Sequence, residues 1–370
     1  MKSLDNNIGL LRLVFASLVI VGHAPEMIDG DRLREPLTQL FGGMSLGEVA
    51  VDGFFLLSGY LIAKSMTTSG TVREFLLRRW MRIFPAFAVA YLASVYILGP
   101  AVGARPWESG FGSVVPMLVL QRPPEFAGQF TGLHNPGLNE PMWTIAYEFR
   151  CYLVAALLGA SGLLARRDFV LLLGVAALGC YAIVGPGAAG APLQDWGLAT
   201  NLALGEPIKM LRFVAVFLVG SCWFLYRDEA LPRMTGRAAS LFALAALAGL
   251  WIGGRLMEPI VVVTGGAALF WLAFKARLGS LQRINQRFDV SYGTYLYGWP
   301  VAIAWICLDR KIGPARLILL TLPTALALGA ASWWSVERPA LRWVRSRSRR
   351  SVIGRARSPD VPSNASLPVG

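Results

Sequence analysis

The chain is poor in charge, poor in histidine and poor in cysteine, and each shortage excludes something. Charged residues fill 15% of its 370 positions against 55% that are hydrophobic, so a soluble domain with a charged exterior cannot be built from it. The four cysteines, Cys151, Cys180, Cys222 and Cys307, lie in or beside apolar stretches. They have neither metal-ligand spacing nor a secreted disulfide pattern, and they read as small packing residues, with no metal implied. With only two histidines, His23 and His134, acid–base chemistry near neutral pH has just two imidazoles to draw on. The formal net charge is +13, but the arginines are dispersed rather than gathered on one domain, which argues against nucleic acid.

What is present is apolar sequence in blocks of membrane-span length, about 20 residues each. Lipid cannot satisfy exposed backbone polar groups, so such blocks are helices. The sequence predicts ten of them: residues 8–24, 46–66, 83–102, 141–164, 169–187, 207–226, 238–255, 259–274, 290–308 and 316–336. The expected fold is an all-α, polytopic transmembrane helix bundle of about ten helices. The first block carries Arg12 and has no small-residue cleavage site, so it is expected to stay as a helix rather than leave as a signal peptide.

Basic residues set the orientation. Arg73, Arg78, Arg79 and Arg82, then Arg166 and Arg167, and later arginine clusters fall on one side, with roughly twice the positives of the other side. By the positive-inside rule both termini are cytoplasmic, in the plasma (inner) membrane. Residues 106–140 form a long outer loop rich in Gly, Pro and aromatics. Its Trp107, Phe111, Phe126 and Phe130, with Trp196 farther on, read first as interfacial belt residues and second as sugar-stacking ones. Residues 1–341 form one membrane domain. Residues 342–370 form a basic, Ser/Pro-rich tail, read as disordered and able to lie on anionic membrane lipids.

Titratable residues inside spans are costly and point to function. Arg12 and His23 are eleven positions apart, which on a helix is three turns plus about 20°, so both face one way about 16 Å apart. A cation and an imidazole on one stripe suit an elongated ligand; the plainer account is a snorkelling Arg12 and a helix-capping His23. Glu148 needs a partner, which Arg12, Arg150 or His23 can supply. It is either a structural ion pair or the group that orients His23. Arg78, Arg79 and Arg82 signal topology, or grip the phosphates of an anionic cofactor. His134, in a Gly/Pro-rich loop, defaults to a solvated structural role.

Six segments, in order, resemble the membrane-bound acyltransferase-3 family. They are Arg12-x10-His23, Asp52-Gly-Phe-Phe-Leu-Leu-Ser-Gly-Tyr-Leu-Ile62, Arg78-Arg-x-x-Arg82-Ile-Phe-Pro85, Pro141-x-Trp143-Thr144-x-x-x-Glu148, the run from Ser291 to Pro300, and Glu337-Arg-Pro339. Two positions depart from the family pattern: Gly298 stands where many members have a histidine, and Thr144 replaces the commoner serine.

The resemblance implies transfer of an acetyl or other acyl group from cytoplasmic acyl-CoA to a hydroxyl of an extracytoplasmic glycan or glycolipid. The phosphates of CoA would meet Arg78, Arg79 and Arg82, and its pantetheine arm would pass Arg12. His23 would then act as base on the acceptor hydroxyl, with Glu148 orienting it. Trp143, Thr144, Ser58 and Gly59 would line the pocket. Some members carry an appended outer domain that handles the acceptor; here that task is expected to fall to the chain's own loops or to a partner. The rival readings are a transporter of a glycan or lipid-linked substrate and a non-catalytic scaffold. Radioactive acetyl appearing on an acceptor excludes the first, and intolerance of change at His23 and Glu148 excludes the second.

Overall fold

In a computed structural model the described residues are 6–344 and 346, without 130–133, 136, 186–196, 198–199, 202–203 and 287. The greater part of the tail, residues 347–370, and the aromatics Phe130 and Trp196 lie outside the described residues. Ten long helices organise the rest: α1 (Ile8–Asp29), α2 (Leu46–Thr67), α3 (Val72–Ala101), α4 (Trp143–Ala160) and α5 (Arg167–Val184). Then come α6 (Pro207–Leu225), α7 (Gly236–Ile252), α8 (Met257–Phe274), α9 (Ser291–Leu308) and α10 (Pro314–Val344). Among the described residues the protein is helical, without strands.

Seven of these, α1, α2, α3, α5, α6, α8 and α10, are long and apolar enough to cross a membrane. The short helix Arg227–Arg233 and α7, bent by 96°, make an eighth if taken together. The expected ten is therefore not reached on apolarity. The shortfall has a physical source: α4 carries Glu148 and Arg150, and α9 carries a run of hydroxyls, glycines and a proline from Ser291 to Pro300. These two helices are central. Along α9, Ser291, Thr294, Leu296, Gly298 and Trp299 are all buried, whereas α5 turns Leu172, Val175 and Ile183 outward. Polar inside and apolar outside is the pattern that lipid rewards.

α1 packs between α2 and α9, and α2 crosses α6. At that crossing the backbones nearly touch: a Cβ on Gly59 would stand 2.0 Å from the Phe217 carbonyl oxygen, and one on Gly220 would stand 2.1 Å from that of Leu56. Small residues permit such an approach, and apolar solvent gives helices few other reasons to associate. α2 starts on a capping box in which Ser45 and Glu48 satisfy each other's backbone N–H groups. α3 starts at Val72 with Thr71 as its cap, eleven residues earlier than the apolar block. The arginines at 78, 79 and 82 therefore ride on the span's own first turns rather than on a preceding loop. The helix then widens into a π turn over Ser94–Leu98, just before Pro100.

The loop after α3 is stitched into the bundle. Asn139 donates to the Leu296 carbonyl at 2.9 Å, Trp299 Nε1 to the Gly137 carbonyl at 2.8 Å, and the Tyr295 hydroxyl to the Pro141 carbonyl at 2.7 Å. Phe126 is buried there, so it is not a belt residue, while Trp107 and Phe111 are exposed.

Candidate active site

Arg12 and His23 face the interior of the bundle, and each side chain is 24% exposed. Three cavities follow one another between the two ends of α1. The first, about 60 Å³, is lined by Arg12, Ser58, Arg79, Arg82, Glu148 and Tyr292, among others. The second, about 40 Å³, shares Arg12, Ser58, Glu148 and Tyr292 with it and adds Thr144 and Tyr295. The third, about 340 Å³, shares Thr144 and Tyr295 with the second and has His23, Glu26, Trp143 and Trp299 in its wall. The first two have room for a water or two, so an extended ligand must part the side chains there. The third can hold a small organic group as it stands.

At the Arg82 end two cations meet two anions. Arg12 Nη1 lies 2.5 Å from Asp289 Oδ2. Arg82 bonds the same carboxylate and reaches Glu337 Oε2 at 2.7 Å, with the rings of Tyr292 and Trp333 under its guanidinium. Asp289 also accepts from Ser291 Oγ at 2.5 Å and Asn285 Nδ2 at 3.3 Å. Burial opposes its ionisation, but Arg12 and Arg82 beside it hold its carboxyl well below the usual carboxylate range.

Arg82 is therefore spent on protein carboxylates, unlike the free phosphate ligand its motif suggested. Arg78 reaches Ser69 Oγ at 2.9 Å and Glu74 at 3.6 Å, and it does not line the cavities. Arg79 does line the first cavity; it reaches Ser65 Oγ at 3.3 Å, and its Nε has no hydrogen-bond partner among the described residues. Of the three, Arg79 is the cation that faces the cavity without a bonded carboxylate.

Glu148 is not beside His23. Its Oε1 accepts from Tyr152 at 2.5 Å and from Ser58 at 3.5 Å, in the first two cavities. His23 Nδ1 instead meets Glu26 Oε2 at 3.1 Å. Arg150 lies over the ring of Tyr147, 4.8 Å from its centroid. Ser58, Trp143 and Thr144 stand in cavity walls, with Thr144 Oγ1 2.6 Å from the Tyr295 hydroxyl. Gly59 does not: it is the close-packing point against α6. At Gly298 a Cβ would come 2.7 Å from Ile20 Cγ1 on α1, so α1 itself occupies the space a side chain there would need. His134 is exposed in its loop.

Residues 5–336 match the model of the acyltransferase-3 family, described as an acyltransferase domain. The chain belongs to this family. It is a multi-pass membrane acyltransferase. It is 26% identical over 331 residues to an O-acetyl transferase of Shigella phage Sf6, covering 88% of this chain and 93% of the relative. It is 27% identical over 382 residues to nodulation protein 10 of Rhizobium leguminosarum bv. viciae, covering 91% and 93%. Acyltransferase MdmB of Streptomyces mycarofaciens is 31% identical over 228 residues, or 58% of this chain and 55% of the relative. No solved structure matches the chain.

Sequence reasoning missed three groups in this acyltransferase. Asp289 stands two positions before the motif that opens α9, and nothing in its neighbours marks it as the carboxylate shared by Arg12 and Arg82. Glu337 was visible within Glu337-Arg-Pro339, but without a role. Glu26 is three positions after His23 on one helix, a spacing at which side chains meet, and that signal was available.

Proposed function

We propose that this protein is an integral-membrane O-acetyltransferase that takes an acetyl (or other acyl) group from acyl-CoA and delivers it to a hydroxyl of a glycan or glycolipid. The cytoplasmic side is the Arg82 end, where the excess of basic loops lies, and the acceptor side is the His23 end, in a plasma (inner) membrane. The observation that carries this reading is the series of cavities, with an unspent arginine at one end and an imidazole in the roomy chamber at the other. The relatives' names, an O-acetyl transferase and an acyltransferase, support the acyl chemistry.

Arg79, helped by Arg78, holds phosphate oxygens of CoA through charge-assisted hydrogen bonds. The pantetheine arm extends past Arg12, Ser58 and Glu148, which present both donors and acceptors to its amides. His23 removes the proton of the acceptor hydroxyl while the oxygen attacks the thioester carbonyl. A C–O bond forms, the C–S bond breaks, and the thiolate leaves to be protonated as free CoA. Trp143 and Thr144 line the chamber in which the acceptor sits.

Replacing His23 with Ala is expected to cut transfer of radioactive acetyl from acetyl-CoA to envelope glycan by a hundredfold or more, on the order of a lost general base. The protein should remain inserted, as shown by its recovery in membranes. Undiminished labelling of the glycan by His23→Ala would overturn the assignment.

A further inference from the structure

Four carboxylates stand in the wall of the outer chamber that holds His23, and three are committed elsewhere. Glu35 accepts from the backbone N–H of Thr38 at 2.8 Å and of Leu46 at 3.0 Å. Glu48 caps α2 at the Ser45 N–H, 2.8 Å away, and Glu140 is bonded by Arg122. Glu26 is left: among the described residues its carboxylate meets only the His23 ring and, at 3.5 Å, an Arg32 whose side chain is 58% exposed. Glu26 follows His23 by one turn of α1, which stays helical to Asp29 despite Pro25.

The chemistry of that pair is directional. An ionised carboxylate only accepts hydrogen bonds, so the ring nitrogen facing it, Nδ1, carries the hydrogen. The neutral ring then keeps its lone pair on Nε2. A second support fixes the plane of the ring: Trp299 meets it edge to face, with centroids 5.1 Å apart and planes at 81°. Trp299 is itself anchored by its indole N–H at the Gly137 carbonyl, 2.8 Å away.

We propose that Glu26 is the positioning residue of the transfer reaction, its carboxylate holding His23 in the tautomer whose Nε2 takes the acceptor proton. The inference rests on His23 being the base, as argued above, and it gives Glu26 the role that the sequence had suggested for Glu148. In the reaction the proton moves from the acceptor hydroxyl to Nε2, and the resulting imidazolium stays paired with the Glu26 carboxylate until it releases that proton to the departing thiolate.

Ring-nitrogen spectra of [¹⁵N]histidine-labelled, full-length protein in lipid nanodiscs test this. A His134→Gln background leaves His23 as the one imidazole. With Glu26 intact the neutral ring is expected to show the Nδ1–H pattern. In Glu26→Leu it should shift toward the Nε2–H tautomer, with kcat down on the order of a hundredfold and KM for acetyl-CoA within about twofold. Glu26→Met, of similar length and without an oxygen to accept the ring N–H, carries the test if the leucine variant fails to fold, and Glu26→Asp should recover part of the lost kcat. Unchanged ring nitrogens or an undiminished kcat in folded Glu26→Leu or Glu26→Met overturns the proposal. If His23→Ala is inactive while Glu26→Leu is not, only Glu26 loses its role; if His23→Ala is active, the reading beneath it falls as well.

Discussion

Two largely buried arginines, Arg82 and Arg212, tie the helices together at opposite ends of the bundle, and they are balanced differently. Arg82 meets Asp289 and Glu337, but Arg12 shares Asp289, so two cations face two anions. Arg212 meets Asp52 at 3.0 Å and Glu258, two anions on one cation, with the Tyr181 hydroxyl 2.6 Å from Glu258. Asp52 is 3% exposed, and its Oδ2 has no hydrogen-bond partner among the described residues. A neutral set beside the narrow cavities leaves Arg79 as the cation that faces them without a bonded carboxylate among the described residues. The Arg212 set is a fastening between α2, α6 and the start of α8, and it carries a surplus carboxylate. One motif, Arg78-Arg-x-x-Arg82, thus divides its labour: its last arginine holds the helices and its middle one faces the cavity.

The sharpest way to break that division is to remove each arginine in turn. Arg82→Ala strands Glu337 as a buried carboxylate and leaves the partly buried Asp289 to Arg12 alone, a loss of about 3–5 kcal/mol for a broken buried pair. The expected result is a strong fall in folded protein, read by size-exclusion chromatography of a fluorescent fusion in detergent. Normal recovery of Arg82→Ala with only KM affected would return Arg82 to the ligand and erase the contrast.

Arg79→Ala should do the reverse. It breaks one hydrogen bond, to Ser65 at 3.3 Å, and no carboxylate bonded among the described residues is left behind. Recovery should match the unmodified protein, while KM for acetyl-CoA rises about tenfold, or ~1.4 kcal/mol, for one lost charge-assisted contact. Acyl-donor titrations with membranes of equal protein content measure it. An unchanged KM would mean that the phosphates bind elsewhere.

The sequence made the helices legible but not their rotations. Apolar blocks gave α2 and α6 nearly to the residue, because Ser45 and Pro207 start them with ordinary capping chemistry. The start of α3 was hidden because arginines at 78, 79 and 82 look like loop charge, although they are good helix formers. Blocks 141–164 and 290–308 were read as spans and α4 and α9 form there, but their polar residues, which face other helices rather than lipid, keep both below the apolarity of a membrane span. Arg12 and His23 could be aligned since one helix carries both. Pairing Glu148 with His23 required the relative height of α4 and α1, which no spacing within either segment contains. Asp289 needed three segments brought together, and only the folded chain does that. The partner of His23 was legible at i+3, yet a carboxylate within a known motif drew attention away from it.

The smallest expected effect belongs to the surplus carboxylate. Asp52 Oδ1 accepts from Arg212 Nη2, and an asparagine oxygen accepts as well. Asp52→Asn therefore keeps that bond, leaves Arg212 paired one to one with Glu258, and removes a buried charge that has no second partner. The change in stability should stay within about 1 kcal/mol, a shift of a few degrees at most in the melting of the detergent-solubilised protein. A loss as large as that of Arg82→Ala would mean that the Asp52 charge is required where it stands, and the two ends of the bundle would then be clamps of one kind.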